Sequence, residues 1–178
     1  MADLAALDAC LDDEARTCRA VVECPRGGRI KYAYDRRAQA FEMKRILPDG
    51  MAFPLDFGFV PSTRAQDGDP LDILILNDEP AEVGALLGVR LIAVIEAEQS
   101  EESETFRNDR ILAVAEVSHL FEALKGPGDL PERFLKNLTQ FWVNYGALRG
   151  ATFKVLGLKG PAEAVRVVRG SLANQANA

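Results

Sequence analysis

Asp67-Gly68-Asp69-Pro70-Leu71-Asp72-Ile73-Leu74-Ile75 crowds three carboxylates together and leads straight into an apolar run that continues to Leu76. A buried, isolated carboxylate is costly, and crowded ones repel unless a cation neutralises them or solvent screens them. In an extended segment Asp67 and Asp69 project to the same side, while Gly68 permits close backbone approach and Pro70 fixes the turn into the strand. Asp72 then falls inside the strand, where an acid does nothing for stability. A solvated acidic turn explains Asp-Gly-Asp alone, but not the third acid. The stretch reads as a hard-metal site at the entrance of a β-strand.

The remaining residue types narrow the metal. There is one histidine, His119, which carries no site signal, and the three cysteines, Cys10, Cys18 and Cys24, form no C-x-x-C pair, so zinc is disfavoured. Oxygen ligands point to Mg2+ or Mn2+, with Ca2+ allowed by ligand type. An EF-hand is set aside because this loop feeds a strand and lacks the regular two-residue spacing of acids.

With 178 residues, 48% of them apolar, the chain suits one domain over residues 1–178 with a substantial core. No apolar run reaches the roughly 18 residues of a membrane span. Met1-Ala-Asp-Leu-Ala-Ala-Leu-Asp8 is acidic where a signal peptide is basic, so a soluble cytoplasmic protein without a membrane partner is expected. Three unpatterned cysteines fit a reducing compartment and core packing. A net charge of −6 with scattered Lys and Arg argues against nucleic acid as a partner.

Leu4, Leu7, Leu11 and Ala15 predict an amphipathic helix over residues 2–18. Short extended pieces follow at Ala20–Glu23, Ile30–Tyr34 and Ala40–Met43, then at Leu71–Leu76, Gly88–Ala97 and Arg110–Val117, with a polar loop over Glu98–Asn108. Several short strands at close spacing suggest a small barrel. Asp129 with Glu132 reads as a capping box. The helix it opens has an apolar face of Leu130, Phe134, Leu135, Leu138, Phe141, Trp142, Tyr145 and Leu148. A strand at Thr152–Leu158, a helix at Pro161–Leu172 and a frayed tail over residues 173–178 complete the expectation.

Taken together, these residues resemble the soluble inorganic pyrophosphatases of the magnesium-dependent barrel family. That family's signature, Asp-x-Asp-Pro-x-Asp followed by apolar residues, stands here as Asp67-Gly-Asp69-Pro70-Leu71-Asp72-Ile73. Phe53-Pro-Leu-Asp-Phe-Gly-Phe-Val-Pro61, Val22-Glu23, Ile30-Lys31-Tyr32, Arg45, Asn108-Asp-Arg110 and Phe141-Trp-Val-Asn-Tyr145 match further elements in the same order over roughly residues 20–160. The resemblance implies an α+β fold, a five-stranded OB-like β-barrel with flanking helices, hexameric in most bacterial members. It also implies hydrolysis of pyrophosphate with Mg2+. Asp67 and Asp72 would bind metal, Asp69 would take the proton of the attacking water, and Lys31, Arg45 and Arg110 would hold phosphate. Tyr145 would donate to phosphate and Glu23 would orient groups around it.

The chain departs from the family at several places. Ala33 stands for a glutamate, Phe57 for a tyrosine, Gly146 for a lysine and Arg110 for a lysine. The metal ligand before Arg110 aligns with Asn108, beside Asp109. A further loop acid lands near Gln99, with Glu98, Glu101, Glu102 and Glu104 as replacements. These changes keep two alternatives open: hydrolysis of another small phosphoanhydride or phosphoester, or a weakly catalytic subunit that binds metal or polyanion and regulates. An OB-type nucleic-acid module is the weakest reading, because the aromatics cluster with core residues and not with lysines.

Overall fold

Strand β5 (Asp72–Leu76) is buried on both faces, because alternate side chains enter two different cores. Ile73 and Ile75 pack with Val22, Leu91 and Ile111, while Leu74 and Leu76 pack with Phe57, Leu112 and Trp142. This double burial explains why the run reads as continuously apolar. The computed structural model describes residues 3–101 and 104–176, with side chains as far as residue 172.

Around β5 the strands close on themselves. β1 (Thr17–Cys24) pairs with β4 (Asp56–Phe59), β4 with β5, β5 with β8 (Arg110–Ala115), β8 with β6 (Leu86–Glu101), and β6 returns to β1. The β5–β8 pairing is parallel and the other four are antiparallel. This ring is the five-stranded OB-like barrel of an α+β fold. β6 is sixteen residues long and outruns the ring; its far end carries β7 (Glu104–Arg107) on one side and β9 (Thr152–Lys159) on the other. Register shifts at Leu91/Ala93 and Glu96/Ala97 let it bend away from the barrel. β2 (Ile30–Asp35) and β3 (Ala40–Ile46) form a separate hairpin.

Helix α1 (Glu132–Ala147) covers one face with Leu138, Trp142 and Tyr145, and α2 (Pro161–Ala176) covers the other with Ala164, Val165 and Val168. No helix among the described residues is long and apolar enough to cross a membrane. All three cysteines are free; burial pushes the Cys18 thiol up to about 12 and that of Cys24 up to about 11, while Cys10 is exposed.

Four expectations need correction. The predicted helix over residues 2–18 is only a 3-10 turn at Leu4–Ala6, and β1 already begins at Thr17. Its acids are the reason: Asp3, Asp8 and Asp12 accept the N–H groups of Ala5, Cys10 and Ala15, so side chains take donors that a helix needs. The polar loop expected at Glu98–Asn108 is instead the end of β6 paired with β7, with residues 102–103 outside the described residues. The capping box is absent, since the Asp129 carboxylate accepts from Lys125 and Gly126 and α1 starts after Pro131; Leu148, past its end, is exposed. The tail expected to fray continues α2 to Ala176, with residues 177–178 outside the description.

Gly58 marks the tightest crossing of the barrel. A Cβ there would lie 1.9 Å from the Val21 carbonyl oxygen of the paired strand. Gly58→Ala should therefore destabilise the protein by about 2–3 kcal/mol in urea unfolding, and an unchanged midpoint would show that β1 and β4 are free to move apart.

Candidate active site

Parallel pairing of β5 with β8 sets Ile73 opposite Ile111, so Asp72 and Arg110 stand side by side one residue earlier. Alternation turns both toward the α1 face, the side of Leu74 and Leu112. Arg110 Nη2 lies 3.1 Å from Asp72 Oδ2. Arg110 is only 4% exposed, and its guanidinium sits between two rings, 4.1 Å from the Trp142 centroid and 4.5 Å from that of Phe153. Arg110 Nε and Trp142 Nε1 are buried donors without a partner among the described residues. Burial pushes the Asp72 carboxyl up to about 6 against the pull of Arg110 and Lys31, and burial also draws Arg110 below its ordinary value.

Asp67 and Asp69 are brought to the same cavity by a turn, not by the extended segment the spacing suggested. Gly68 has φ +90°, its N–H donates to the Ala65 carbonyl at 3.1 Å, and the Asp69 N–H donates to Asp67 Oδ1 at 3.1 Å. Both carboxylates are exposed at the rim. Partial desolvation, joined by the neighbouring Asp69, raises Asp67 above the usual carboxylate range. Among the described residues no three acid, His or Cys side chains are gathered into a ready-made metal cage.

Lys31 enters from β2. Its Nζ donates to Glu23 Oε2 at 2.9 Å and lies 4.2 Å above the Phe57 ring. Burial disfavours its charge, but Glu23 and Asp72 outweigh this and hold its pKa above the ordinary value. Glu23 occupies the bulge of β1, and its other oxygen accepts the Tyr34 N–H at 2.9 Å, so it fixes Lys31 from behind and does not line the cavity itself. Arg45 is opposite Lys31 across the hairpin, an unfavourable like-charge pairing. It is exposed and reaches toward the outer face of the Tyr145 ring, 5.8 Å from the centroid.

The cavity, about 220 Å3, thus brings together Asp67, Asp69, Asp72, Lys31, Arg110, Asn108 and Tyr145. Tyr145 is both core and wall, 6% exposed and edge-on to Trp142. Asn108 is buried, its Nδ2 donating to Gln99 Oε1 at 2.9 Å. Two expected ligands are absent from the lining. Asp109 faces away, where Oδ1 accepts the Ala97 N–H at 2.9 Å and pairs with Arg107. Glu98 faces away as well, because alternation on β6 presents Gln99 and Glu101 instead. Glu102 lies outside the described residues.

Residues that the sequence reading did not assign to the site also line it: Trp142, which stacks on Arg110, together with Phe53, Phe106 and Arg149. The parity of β6 was a usable signal for Gln99 and Glu101. Arg149 carried none, because a cation after a helix is ordinary.

Comparison with known proteins identifies the family and the fold. The family model described as inorganic pyrophosphatase matches residues 20–176. An inorganic pyrophosphatase of Methanosarcina acetivorans is 34% identical over 149 residues, covering 84% of this chain and 86% of that one. The crystal structure of inorganic pyrophosphatase from Thermus thermophilus superposes with a TM-score of 0.90 at 31% identity, covering 98% of this chain and 99% of that chain. That of an inorganic pyrophosphatase from Neisseria gonorrhoeae gives 0.84 at 30% identity, covering 93% and 94%.

The Asp72 environment has a pH signature. Folded, Asp72 keeps its proton to about pH 6; unfolded, it ionises near its ordinary 3.8. Well below 3.8 both states are protonated and no cost arises. As pH rises the unfolded chain ionises first, so stability falls, and above pH 6 the full cost, on the order of 2–3 kcal/mol, is present. Asp72→Asn stays neutral throughout. In urea unfolding of metal-free protein the variant should gain on the wild type by that amount between pH 4 and pH 7, and a constant difference would rule out burial as the cause.

Proposed function

The chain belongs to the inorganic pyrophosphatase family, and from that premise we propose that it hydrolyses inorganic pyrophosphate to two phosphates in the cavity between β5, β8 and α1. The observation that carries this reading is the cavity itself, which sets three aspartates against Lys31 and Arg110 and leaves the buried Arg110 Nε without an acceptor among the described residues. An anion accompanied by hard cations satisfies both halves of that arrangement.

The lining suits a divalent ion held by oxygen. It offers the carboxylates of Asp67, Asp69 and Asp72 and the amide of Asn108, with no His or Cys. We infer Mg2+, with Mn2+ as substitute, held by Asp67 and Asp72. When bound, such an ion neutralises phosphate charge and lowers the pKa of water. Asp69 takes the proton of the attacking water: it stands at the open rim, and its backbone, not its carboxylate, is engaged in the turn. Lys31 and Arg110 hold phosphate oxygens, and the aromatic stack keeps the guanidinium in one plane. Arg45 turns inward past Tyr145, whose hydroxyl donates to phosphate. Glu23 keeps Lys31 in place. The reading extends to a cytoplasmic homo-hexamer, supported by the resemblance to bacterial members of the family.

One observation favours a second reading, a larger phosphoanhydride or phosphoester. A further cavity of about 270 Å3 adjoins the first, shares Lys31, Asp69 and Asp72, and is lined by Ala33 where the family carries a glutamate. A panel of phosphate compounds on which pyrophosphate stays far ahead rules this out.

Phosphate release from magnesium pyrophosphate should be robust in the wild type and fall about 10²-fold or more in kcat for Asp69→Asn. Absence of release across Mg2+ and Mn2+ titrations defeats the hydrolytic reading. Calorimetric binding without turnover would favour a regulatory subunit instead.

A further inference from the structure

We propose that Arg149 is an additional substrate-binding cation, latched by Glu101 until an oxygen of pyrophosphate displaces that carboxylate; this rests on the pyrophosphatase reading above. The starting point is Gly146, directly after Tyr145 on α1. A Cβ there would meet Phe153 Cβ at 3.2 Å and the Ala151 carbonyl oxygen at 3.3 Å, so this stretch of helix is packed too closely to present a cationic side chain. Three residues on, Arg149 leaves the end of α1, its N–H donating to the Gly146 carbonyl at 2.9 Å, and its side chain returns to line the cavity.

Arg149 is placed to switch partners. Its Nη2 lies 2.6 Å from Glu101 Oε1, and the guanidinium carbon is 5.9 Å from the centroid of the Tyr145 ring. The same Glu101 oxygen accepts Gln99 Nε2 at 2.5 Å, and Gln99 Oε1 accepts Asn108 Nδ2 at 2.9 Å. A polar chain therefore runs from Arg149 to the buried floor of the cavity. Arg149 also lines an outer cavity of about 330 Å3 with Lys44 and Arg45, so it stands where the site opens toward further positive charge.

Exposure decides which cation is exchangeable. The Lys31–Glu23 side chains are 19% and 10% exposed, and those of Arg110–Asp72 are 5% and 25%. Those of Arg149–Glu101 are 29% and 40% exposed, which makes this the most solvent-screened pair at the site and the easiest to break. A pyrophosphate oxygen belongs to a group of higher charge than one carboxylate and offers the guanidinium a second acceptor, so it outcompetes Glu101.

Kinetics of phosphate release by Arg149→Ala, Arg149→Lys and Glu101→Gln test this, with calorimetric binding of imidodiphosphate, a pyrophosphate analogue with a nitrogen bridge. Arg149→Ala should raise KM and weaken analogue binding about 10-fold with a smaller change in kcat, and Arg149→Lys should recover part of the loss. Glu101→Gln frees the cation and should lower KM a few-fold. A merely structural clasp between the α1 end and the β6–β7 pair predicts that Arg149→Ala and Glu101→Gln shift KM in the same direction, which overturns the proposal. So does an Arg149→Ala enzyme within twofold of wild type. If Arg149→Ala does not fold, the opposed shifts of Arg149→Lys and Glu101→Gln decide alone. A wild type that neither hydrolyses pyrophosphate nor binds the analogue removes the pyrophosphatase reading and this inference with it, whereas an active wild type with unaffected variants removes only the latter.

Discussion

The buried ion pair of Asp72 with Arg110 is the constraint around which the rest of the structure is arranged. Two charges out of bulk water persist only if their geometry is good and their remaining bonding capacity is met. Here the parallel register of β5 and β8 supplies the geometry, and the Trp142 and Phe153 rings enclose the guanidinium. The remaining capacity is not fully met, since Arg110 Nε has no partner among the described residues and Asp72 resists ionisation. Stability is forgone at that point, and strain of this kind concentrates at functional sites.

The barrel makes that concession tolerable. Because β5 and β8 are buried on both faces, the strands that hold the pair are anchored in two cores, one closed by α1 and the other by α2. α1 contributes twice, filling its core with Leu138 and Trp142 and presenting Tyr145 to the cavity. The hairpin of β2 and β3 lies outside the ring and is tied to β1 through Glu23, which accepts from Lys31 and from the Tyr34 N–H, so Lys31 is held more firmly than the rim aspartates Asp67 and Asp69.

Much of this was legible in the sequence, and the failures share a physical cause. Strands with strong apolar patterns, such as β5 and β8, and the long α1 appear close to where the pattern put them. The acidic signature, Lys31 and Arg110 surround one cavity. What misled was local chemistry competing with periodicity: Asp3, Asp8 and Asp12 draw backbone donors away from a helix that Leu4, Leu7 and Leu11 alone would suggest. Asp129 did the same at the start of α1. Charge alone does not separate Glu98 from Glu101 as a replacement acid, whereas side-chain parity along β6 brings Gln99 and Glu101 to the cavity and turns Glu98 away. Contacts across many residues, such as Arg149 with Glu101, leave no pattern to read.

β6 divides into halves with different neighbours. From Leu86 to Ile95 it is a stave of the barrel, paired with β1 and β8, whereas toward Glu101 it is held by β7 and β9 alone. One continuous strand therefore belongs to two regions of unequal protection. Opening the outer half uncovers Ala97 and Phe153 but leaves the ring closed, so the wall carrying Gln99 and Glu101 can open at a lower free energy than global unfolding. Amide exchange should then change partway along a single strand, slower where it closes the barrel and faster where it borders the cavity.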